Sequence, residues 1–283
     1  SIFVSYFCTL LTLVEIRQKN NFKYTNISAI LIALFFYVYS PYTLFSNYRT
    51  FLGVSMLSLG IAKISNGKKV FGTILMIIGT VSHNAGWVIL GLFIISRYVS
   101  ISPRIYWVGL CVLLINERVA LSIIQFAAHQ GFFPTYVEAL AQSYVVGSKA
   151  FMTSASYGMI HFSRALIILI TTMLVYIIVR KREKENTYLR FLNIYLFFVL
   201  CFINYRMVAE RFALLGIILF IPLYYIFLSK NYPKLYKWLF LFLMLLNFDV
   251  FNFMDYGIRV GVGFPLNLFE PSISLIRNYI IDF

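Results

Sequence analysis

Charged residues are scarce in this 283-residue chain: Asp, Glu, Lys and Arg together make up 12% of it, and only 10 residues are acidic. A soluble domain usually has about 25% charged residues. Hydrophobic residues account for 61% of the chain and aromatic residues for 19%. The polar surface is too small to cover a water-facing globule of this size. This composition excludes a soluble enzyme, a disordered chain and a disulfide-rich secreted module.

Metal-binding and cofactor-binding signatures are also missing from the sequence. The three cysteines, Cys8, Cys111 and Cys201, lie inside apolar runs without the CxxC spacing of a zinc site, which is typical of core residues. The sequence has no glycine-rich phosphate loop, no HExxH motif and no acidic metal motif. We therefore expect neither a metal nor a cofactor.

Long apolar runs dominate the chain, and its mean hydropathy is +0.83. A membrane-spanning helix needs roughly 20 residues. The sequence therefore predicts an all-α, polytopic integral membrane protein: residues 1–283 form a single transmembrane domain of about ten spans. Because the first residue is not Met and residues 2–16 are already apolar, we expect further spans upstream.

The predicted spans follow from the breaks between these runs. They cover residues 2–16, 27–45, 48–64, 70–95 as two short spans, 105–126, 158–179, 191–228 as two spans, and 238–253. We expect the two short spans to meet near His83, although one long tilted span over 70–95 is the alternative. The run 191–228 would be about 57 Å long as one helix, so it must fold back, and the polar cluster at 204–211 is where we expect the reversal.

Basic residues indicate which loops face the cytoplasm. Most of the 24 Lys and Arg residues lie in one set of alternate loops, around residues 17–23, 63–69, 97–104, 180–190 and 230–237. Positively charged loops favour the cytoplasmic side of a membrane. The net charge of +14 therefore reflects topology and not a nucleic-acid partner, and the long polar loop 129–157 is expected outside.

A second set of ionisable residues is predicted at the outer leaflet, on segments that are distant in sequence. This set consists of Arg49, His83, Arg164, Arg206, Glu210 and Arg211. Ionisable groups at membrane depth are costly and usually line a polar cavity. Several cations with few carboxylates indicate an anionic ligand, and arginine forks suit the oxygens of a pyrophosphate. The alternatives are that the arginines extend to the lipid headgroups, and that Arg206 and Glu210 form an ordinary pair within one helix.

Histidine 83 also has two interpretations. It is either a packed core residue or a neutral imidazole that takes a proton from a hydroxyl nucleophile.

Several short motifs resemble those of a known family. Asn47-Tyr48-Arg49 opens an apolar helix, the basic turn Lys68-Lys69 follows, and Ser82-His83-Asn84-Ala85 comes about 34 residues after the arginine. Glu210-Arg211-Phe212 opens a later span. This pattern is similar to that of the EpsG/Wzy-type bacterial polysaccharide polymerases, in which an Arg begins one span, a His ends the next, and a second Arg precedes an aromatic residue.

The resemblance implies a metal-independent glycosyltransferase in the bacterial cytoplasmic (inner) membrane that makes O-antigen, capsule or exopolysaccharide. Its substrate would be an undecaprenyl-pyrophosphate-linked oligosaccharide, with membrane lipid and a candidate chain-length regulator as partners. A sugar hydroxyl would attack the anomeric carbon of the growing chain, and undecaprenyl pyrophosphate would leave. Either His83 or Glu210 would be the catalytic base. Arg49, Arg164, Arg206 and Arg211 would bind the pyrophosphate.

Two other functions remain open at this point. The first is a lipid-linked glycan ligase or O-acyltransferase, and a ligase would be expected to have a larger outer loop than residues 129–157. A transporter or flippase would favour repeated halves and helices broken at the midplane, and the sequence shows no repeat.

Overall fold

The computed structural model describes residues 2–20, 48–102, 155–182, 186–202, 206–230 and 233–246. All regular structure in these ranges is α-helical, as the sequence predicts. The helices are α1 (Ile2–Asn20), α2 (Tyr48–Ser65), α3 (Lys69–Ser82), α4 (Ala85–Tyr98), α5 (Ala155–Arg180), α6 (Thr187–Cys201), α7 (Arg206–Ser229) and α8 (Lys234–Leu246).

Two pairs of consecutive helices, α2 with α3 and α6 with α7, run in opposite directions. In the pair α6 and α7, the Tyr188 hydroxyl donates to the Leu219 carbonyl at 3.0 Å and the Tyr195 hydroxyl donates to the Phe212 carbonyl at 2.7 Å. These two bonds define an antiparallel pair. Helix termini therefore gather at two ends of the bundle: a basic end, which contains the α2–α3 turn, and an apex end, which contains the α3–α4 turn.

Glycine 67 sets the α2–α3 turn. Its φ angle is +85°, a left-handed conformation that glycine adopts without steric cost. The Gly67 N–H donates to the Ile64 carbonyl and the Lys68 N–H donates to the Lys63 carbonyl, so two of the orphan carbonyls in the last turn of α2 are satisfied. The polar segment that predicts the end of this span thus closes it as a helix C-cap.

Four glycines let α2 and α3 approach backbone to backbone. An ideal Cβ on Gly53 would lie 2.8 Å from the Gly79 carbonyl oxygen, and one on Gly60 would lie 2.8 Å from the Gly72 carbonyl oxygen. The two glycines on each helix are seven residues apart, so each helix presents the same face at both contacts. In lipid the hydrophobic effect does not drive helices together, and small residues instead allow them to associate by close packing.

The apolar run 70–95 consists of two helices and not one. Helix α3 ends at Ser82, and His83 is extended, with φ −160° and ψ 143°. Both α3 and α4 contain 14 residues, about 21 Å of helix, which is shorter than a hydrocarbon core of about 30 Å. The predicted break near His83 is confirmed, and the hairpin it forms is short.

The run 191–228 also folds back as predicted, but earlier in the sequence. Helix α6 ends at Cys201 and α7 begins at Arg206. Most of the polar cluster 204–211 therefore belongs to the first turns of α7 rather than to the reversal. Residues 206–211 contain no Gly or Pro, so they can belong to the helix despite their polarity.

Aromatic and aliphatic side chains of α6 and α7 form the centre of the core. Tyr188, Phe191, Tyr195 and Phe220 are almost completely buried, and their rings meet in edge-on or tilted contacts. The buried Tyr188 hydroxyl also bonds Ser58 Oγ at 2.7 Å, which ties α2 to the pair. Thr172 of α5 bonds the Tyr224 hydroxyl of α7.

Several helices present apolar side chains to the exterior. Val70, Ile74, Ile77 and Val81 form an exposed stripe along α3, at the spacing of one helix face. Phe3 and Phe7 are exposed in the same way on α1. Such faces are typical of helices surrounded by lipid.

One described helix segment, Arg211–Ser229, is both long and apolar enough to cross a membrane, and most of it is buried within the protein. Four further apolar helices are shorter: Lys69–Ser82, Ala85–Tyr98, Ala165–Arg180 and Thr187–Cys201. The ten-span layout therefore stays a prediction. The predicted spans 27–45 and 105–126 lie outside the described residues, and so does the predicted outer loop 129–157 except for its last three residues, which belong to the first turn of α5.

Candidate active site

Three helix ends bring predicted site residues to the apex end. Arg49 lies in the first turn of α2, and one turn later Gly53 packs against Gly79 and against the Cβ of Ser82. The start of α2 therefore lies beside the end of α3, directly before His83. Arg211 of α7 is close enough to His83 for its charge to act on the imidazole. The structure thus brings three of the residues predicted at one leaflet, Arg49, His83 and Arg211, to the apex end.

The imidazole of His83 is held by the helix that follows it. Its Nδ1 atom accepts a hydrogen bond from the Ala85 backbone N–H at 3.1 Å. Ala85 is the first residue of α4, so its N–H is one of the orphan donors of a helix N-terminus. The Gly86 N–H bonds the His83 carbonyl at 2.8 Å, and a Cβ on Gly86 would lie 2.7 Å from the Thr80 Cα. The tight turn therefore fixes both the backbone and the ring of His83.

Burial and a nearby cation both act on the charge of His83. The side chain is partly buried, and this desolvation lowers the pKa of the imidazole. The positive charge of Arg211 lowers the pKa of His83 further, because like charges disfavour the imidazolium. His83 is therefore neutral at neutral pH, with Arg211 as its charged neighbour.

The two arginines of the site are exposed at the apex end. Arg49 Nε donates to the hydroxyl of Tyr48 at 3.1 Å, and its guanidinium carbon lies 5.7 Å from the centre of the Tyr48 ring. This contact is a cation–π interaction, which steadies a long side chain without neutralising its charge. The guanidinium of Arg49 can thus offer paired N–H donors to an anion.

The remaining predicted site residues are placed by their backbone alone. Arg206 and Glu210 lie in the first turns of α7, four residues apart on one helix, and Arg164 lies ten positions into α5. Their side chains are outside the part of the structure that is described, so their roles stay predictions. Helix α7 begins five residues before Arg211, about 7.5 Å along the axis, so its first turn extends past the level of Arg211.

The basic end contains an ion cluster that sequence reasoning missed. The carboxylate of Glu15, near the end of α1, accepts from Lys63 Nζ at 2.7 Å and from Lys68 Nζ at 2.9 Å. Asn66 Nδ2 donates to the same carboxylate at 2.8 Å. The side chain of Glu15 is only 6% exposed. The one signal in the sequence for this cluster is that Glu15 lies at the end of an apolar run, shortly before Arg17 and Lys19.

This cluster joins α1 to the turn between α2 and α3. Lys19 Nζ adds a hydrogen bond to Ser65 Oγ at 2.8 Å. A buried carboxylate needs such partners, because leaving it unpaired would cost several kcal/mol. The Glu15 cluster is therefore structural, and it lies at the opposite end of the α2–α3 hairpin from His83.

Within the described ranges, no group of three His, Cys, Asp or Glu side chains is placed to hold a metal ion. The expectation of a metal-independent site stays a prediction.

Comparison with known proteins identifies the family of the chain. No curated protein and no solved structure shows a significant match to it. The model of the EpsG family matches residues 1–262, which is most of the chain. The chain therefore belongs to the EpsG family and is a polymerase-type membrane protein of polysaccharide biosynthesis.

Proposed function

We propose that this protein joins undecaprenyl-pyrophosphate-linked repeat units into a polysaccharide at the outer face of the bacterial cytoplasmic membrane. The observation that carries this proposal is the gathering of Arg49, His83 and Arg211 at the apex end, away from the basic end. Among the described residues, no carboxylate forms an ion pair with Arg49 there. The charge of the site therefore suits an anionic ligand.

A pyrophosphate matches this site in charge and in geometry. Arginine binds phosphate oxygens through two parallel N–H donors, and charge-assisted bonds of this kind are about twice as strong as neutral ones. The N-terminus of α4 lies at the same end and adds the positive end of its helix dipole. During reaction, negative charge grows on the leaving pyrophosphate, and preorganised cations stabilise that charge in the transition state.

The lengths of the helices support a site below the membrane surface. The hairpin of α3 and α4 is about 21 Å long. When its open end lies at the basic side of the membrane, the turn at His83 reaches only part of the way across a core of about 30 Å. The pyrophosphate of a lipid-linked sugar lies near the headgroups, where a recessed apex can receive it. The lipid tail then stays among the exposed apolar helix faces.

Sidedness follows from the basic residues. Lys63, Lys68, Arg97, Lys181 and Lys230 all lie at or beside helix termini of the basic end. Basic loops favour the cytoplasm, so the apex end faces outward in this proposal. The acceptor and donor glycans would then meet outside the cytoplasm, after their transfer across the membrane.

The test is a reconstitution of the purified protein in proteoliposomes with an undecaprenyl-pyrophosphate-linked repeat unit as the single substrate. We expect glycans of increasing length on the lipid and one released undecaprenyl pyrophosphate for each linkage formed. A ligase would instead need a separate acceptor, and a flippase would move the substrate without lengthening the glycan. Transfer across the bilayer without any change in glycan length would overturn the proposal.

A further inference from the structure

The hydrogen bond between Ala85 and His83 determines which nitrogen of the imidazole carries the proton. A backbone N–H can only donate, so the Nδ1 atom that accepts it at 3.1 Å must have a free lone pair. A neutral imidazole has one N–H and one free lone pair. The proton of neutral His83 is therefore on Nε2.

This tautomer is unsuited to a general base. A base needs a free lone pair directed at the substrate, and in His83 that lone pair is occupied by the N-terminus of α4. The atom left to face a ligand is Nε2, which is a donor. A neutral imidazole at a helix N-terminus can act in this way, donating a hydrogen bond to an oxygen on which negative charge develops.

We propose that His83 acts as a neutral hydrogen-bond donor, through Nε2–H, to an oxygen of the leaving pyrophosphate, which leaves Glu210, the other candidate base from the sequence, to take the proton. This inference rests on the proposed polymerase function and changes the roles within its site. The interpretation of His83 as the base is not supported by the geometry of its Nδ1 atom. The neighbouring Arg211 would place its positive charge beside the same pyrophosphate oxygen.

The transfer step then balances without a metal or a redox partner. The acceptor hydroxyl oxygen forms a bond to the anomeric carbon of the donor sugar, and its proton passes to the Glu210 carboxylate. The bond between the anomeric carbon and the pyrophosphate oxygen breaks, and its electron pair stays on that oxygen. The charge formed there is stabilised by the Nε2–H of His83 and by the guanidinium of Arg211, so the leaving group departs without needing a proton.

The charged groups around His83 keep it in the donor form. Arg211 faces it from α7, and Arg49 lies at the same end on α2; among the described residues of α3 and α4, the nearest charged groups are at the basic end. Burial, and then Arg211, lower the pKa of His83. Protonation would place a proton on Nδ1 and break the bond to Ala85, so it occurs only below the ordinary value of about 6.5.

The direct test is nitrogen NMR of the full-length protein in detergent micelles with ¹⁵N-labelled histidine. The signal of His83 is assigned as the one that disappears in His83→Gln. At neutral pH we expect a protonated, pyrrole-like Nε2 and an unprotonated, pyridine-like Nδ1. The opposite tautomer at His83 would overturn the proposal. This readout needs no substrate, so it separates failure of the tautomer from failure of the proposed function.

Activity measurements test the role of the donor itself. The side-chain amide of Gln can donate as Nε2–H does but cannot act as a base, whereas Ala can do neither. We expect His83→Gln to retain polymerisation within about tenfold of wild type and His83→Ala to lose about 10²–10³-fold, the usual effect of removing one transition-state donor. We expect Glu210→Gln to lose more than His83→Gln.

Binding of inorganic pyrophosphate provides the second readout. Its addition should shift the Nε2–H signal of His83 in the wild-type protein, and the Kd should rise more in His83→Ala than in His83→Gln. If both His83 variants were equally inactive while Glu210→Gln remained active, His83 would be the base and the proposal would be wrong. If wild type bound pyrophosphate and showed the expected tautomer but made no polymer, only the proposed polymerase function would fail.

Discussion

The glycine contacts of the α2–α3 hairpin allow the position of His83 to be perturbed without touching it. An alanine Cβ at Gly53 would lie 2.8 Å from the carbonyl oxygen of Gly79, where about 3.4 Å is the lower limit of ordinary contact. The partner atom is backbone and cannot rotate away, so the two helices must separate by roughly half an ångström. His83 follows Gly79 by four residues, about one helical turn.

We expect Gly53→Ala to affect both stability and turnover. Overpacking of this kind costs about 1–3 kcal/mol of unfolding free energy. A displacement approaching 1 Å at a reacting group can cost about 10²-fold in rate. The prediction is a loss of at least about tenfold in the polymerisation rate per folded molecule, measured in detergent after correction for the folded fraction.

The chain provides a matched control at the other end of the same interface. A Cβ at Gly60 would lie 2.8 Å from the Gly72 carbonyl oxygen, which is a similar clash about 10 Å farther from His83 along α3. Gly60→Ala should lower stability by a similar amount and leave the rate per folded molecule near wild type. Gly91→Ala, where a Cβ meets nothing within 4 Å, should be neutral or slightly stabilising. Equal loss of rate in Gly53→Ala and Gly60→Ala would refute the positional argument.

Three further predictions concern the rest of the bundle. Glu15→Ala should cost about 3–5 kcal/mol in chemical unfolding, because it leaves Lys63, whose side chain is only 13% exposed, without its carboxylate. Truncating Lys68, which is 49% exposed, should cost at most about 1 kcal/mol, and equal costs for the two changes would contradict the structural role of the Glu15 cluster. Tyr188→Phe should cost about 1 kcal/mol, because its hydroxyl bridges α2 and α7, and an unchanged unfolding midpoint would argue against that bridge. In a cysteine-free background, an impermeant maleimide added to intact cells should label Asn84→Cys but not Lys181→Cys, and the reverse pattern would invert the proposed topology.

The helix boundaries that depend on a local glycine or on polar residues within an apolar run could be predicted from the sequence. The end of α2 follows from Gly67, because a helix often ends at a residue that can adopt the left-handed conformation, and Gly67 comes shortly after the apolar run. The break at His83 and the reversal between α6 and α7 follow from polar residues inside runs too long for one span. The sequence predicts the reversal slightly too late, because polarity alone does not show that Arg206 already lies in a helix.

The contacts within the site required the structure. The sequence indicates that His83 and Arg211 belong to one leaflet, but their proximity depends on how α7 packs against the hairpin. The tautomer of His83 depends on a single backbone N–H at the start of α4, which no residue type reveals. The same holds for Glu15, whose partners are about 50 residues away in sequence and meet it only through the packing of α1 on α2.

The central claim is that the arginines of the apex end bind the pyrophosphate of the lipid-linked donor. The most direct measurement is the rate of undecaprenyl pyrophosphate release from a lipid-linked repeat unit by purified Arg49→Lys and Arg211→Lys, with Arg97→Lys at the basic end as the control. Lysine keeps the charge but loses the paired donors of the guanidinium group. We predict that both apex variants lose most of the rate while remaining folded and that Arg97→Lys keeps it; full activity in both apex variants would contradict the account.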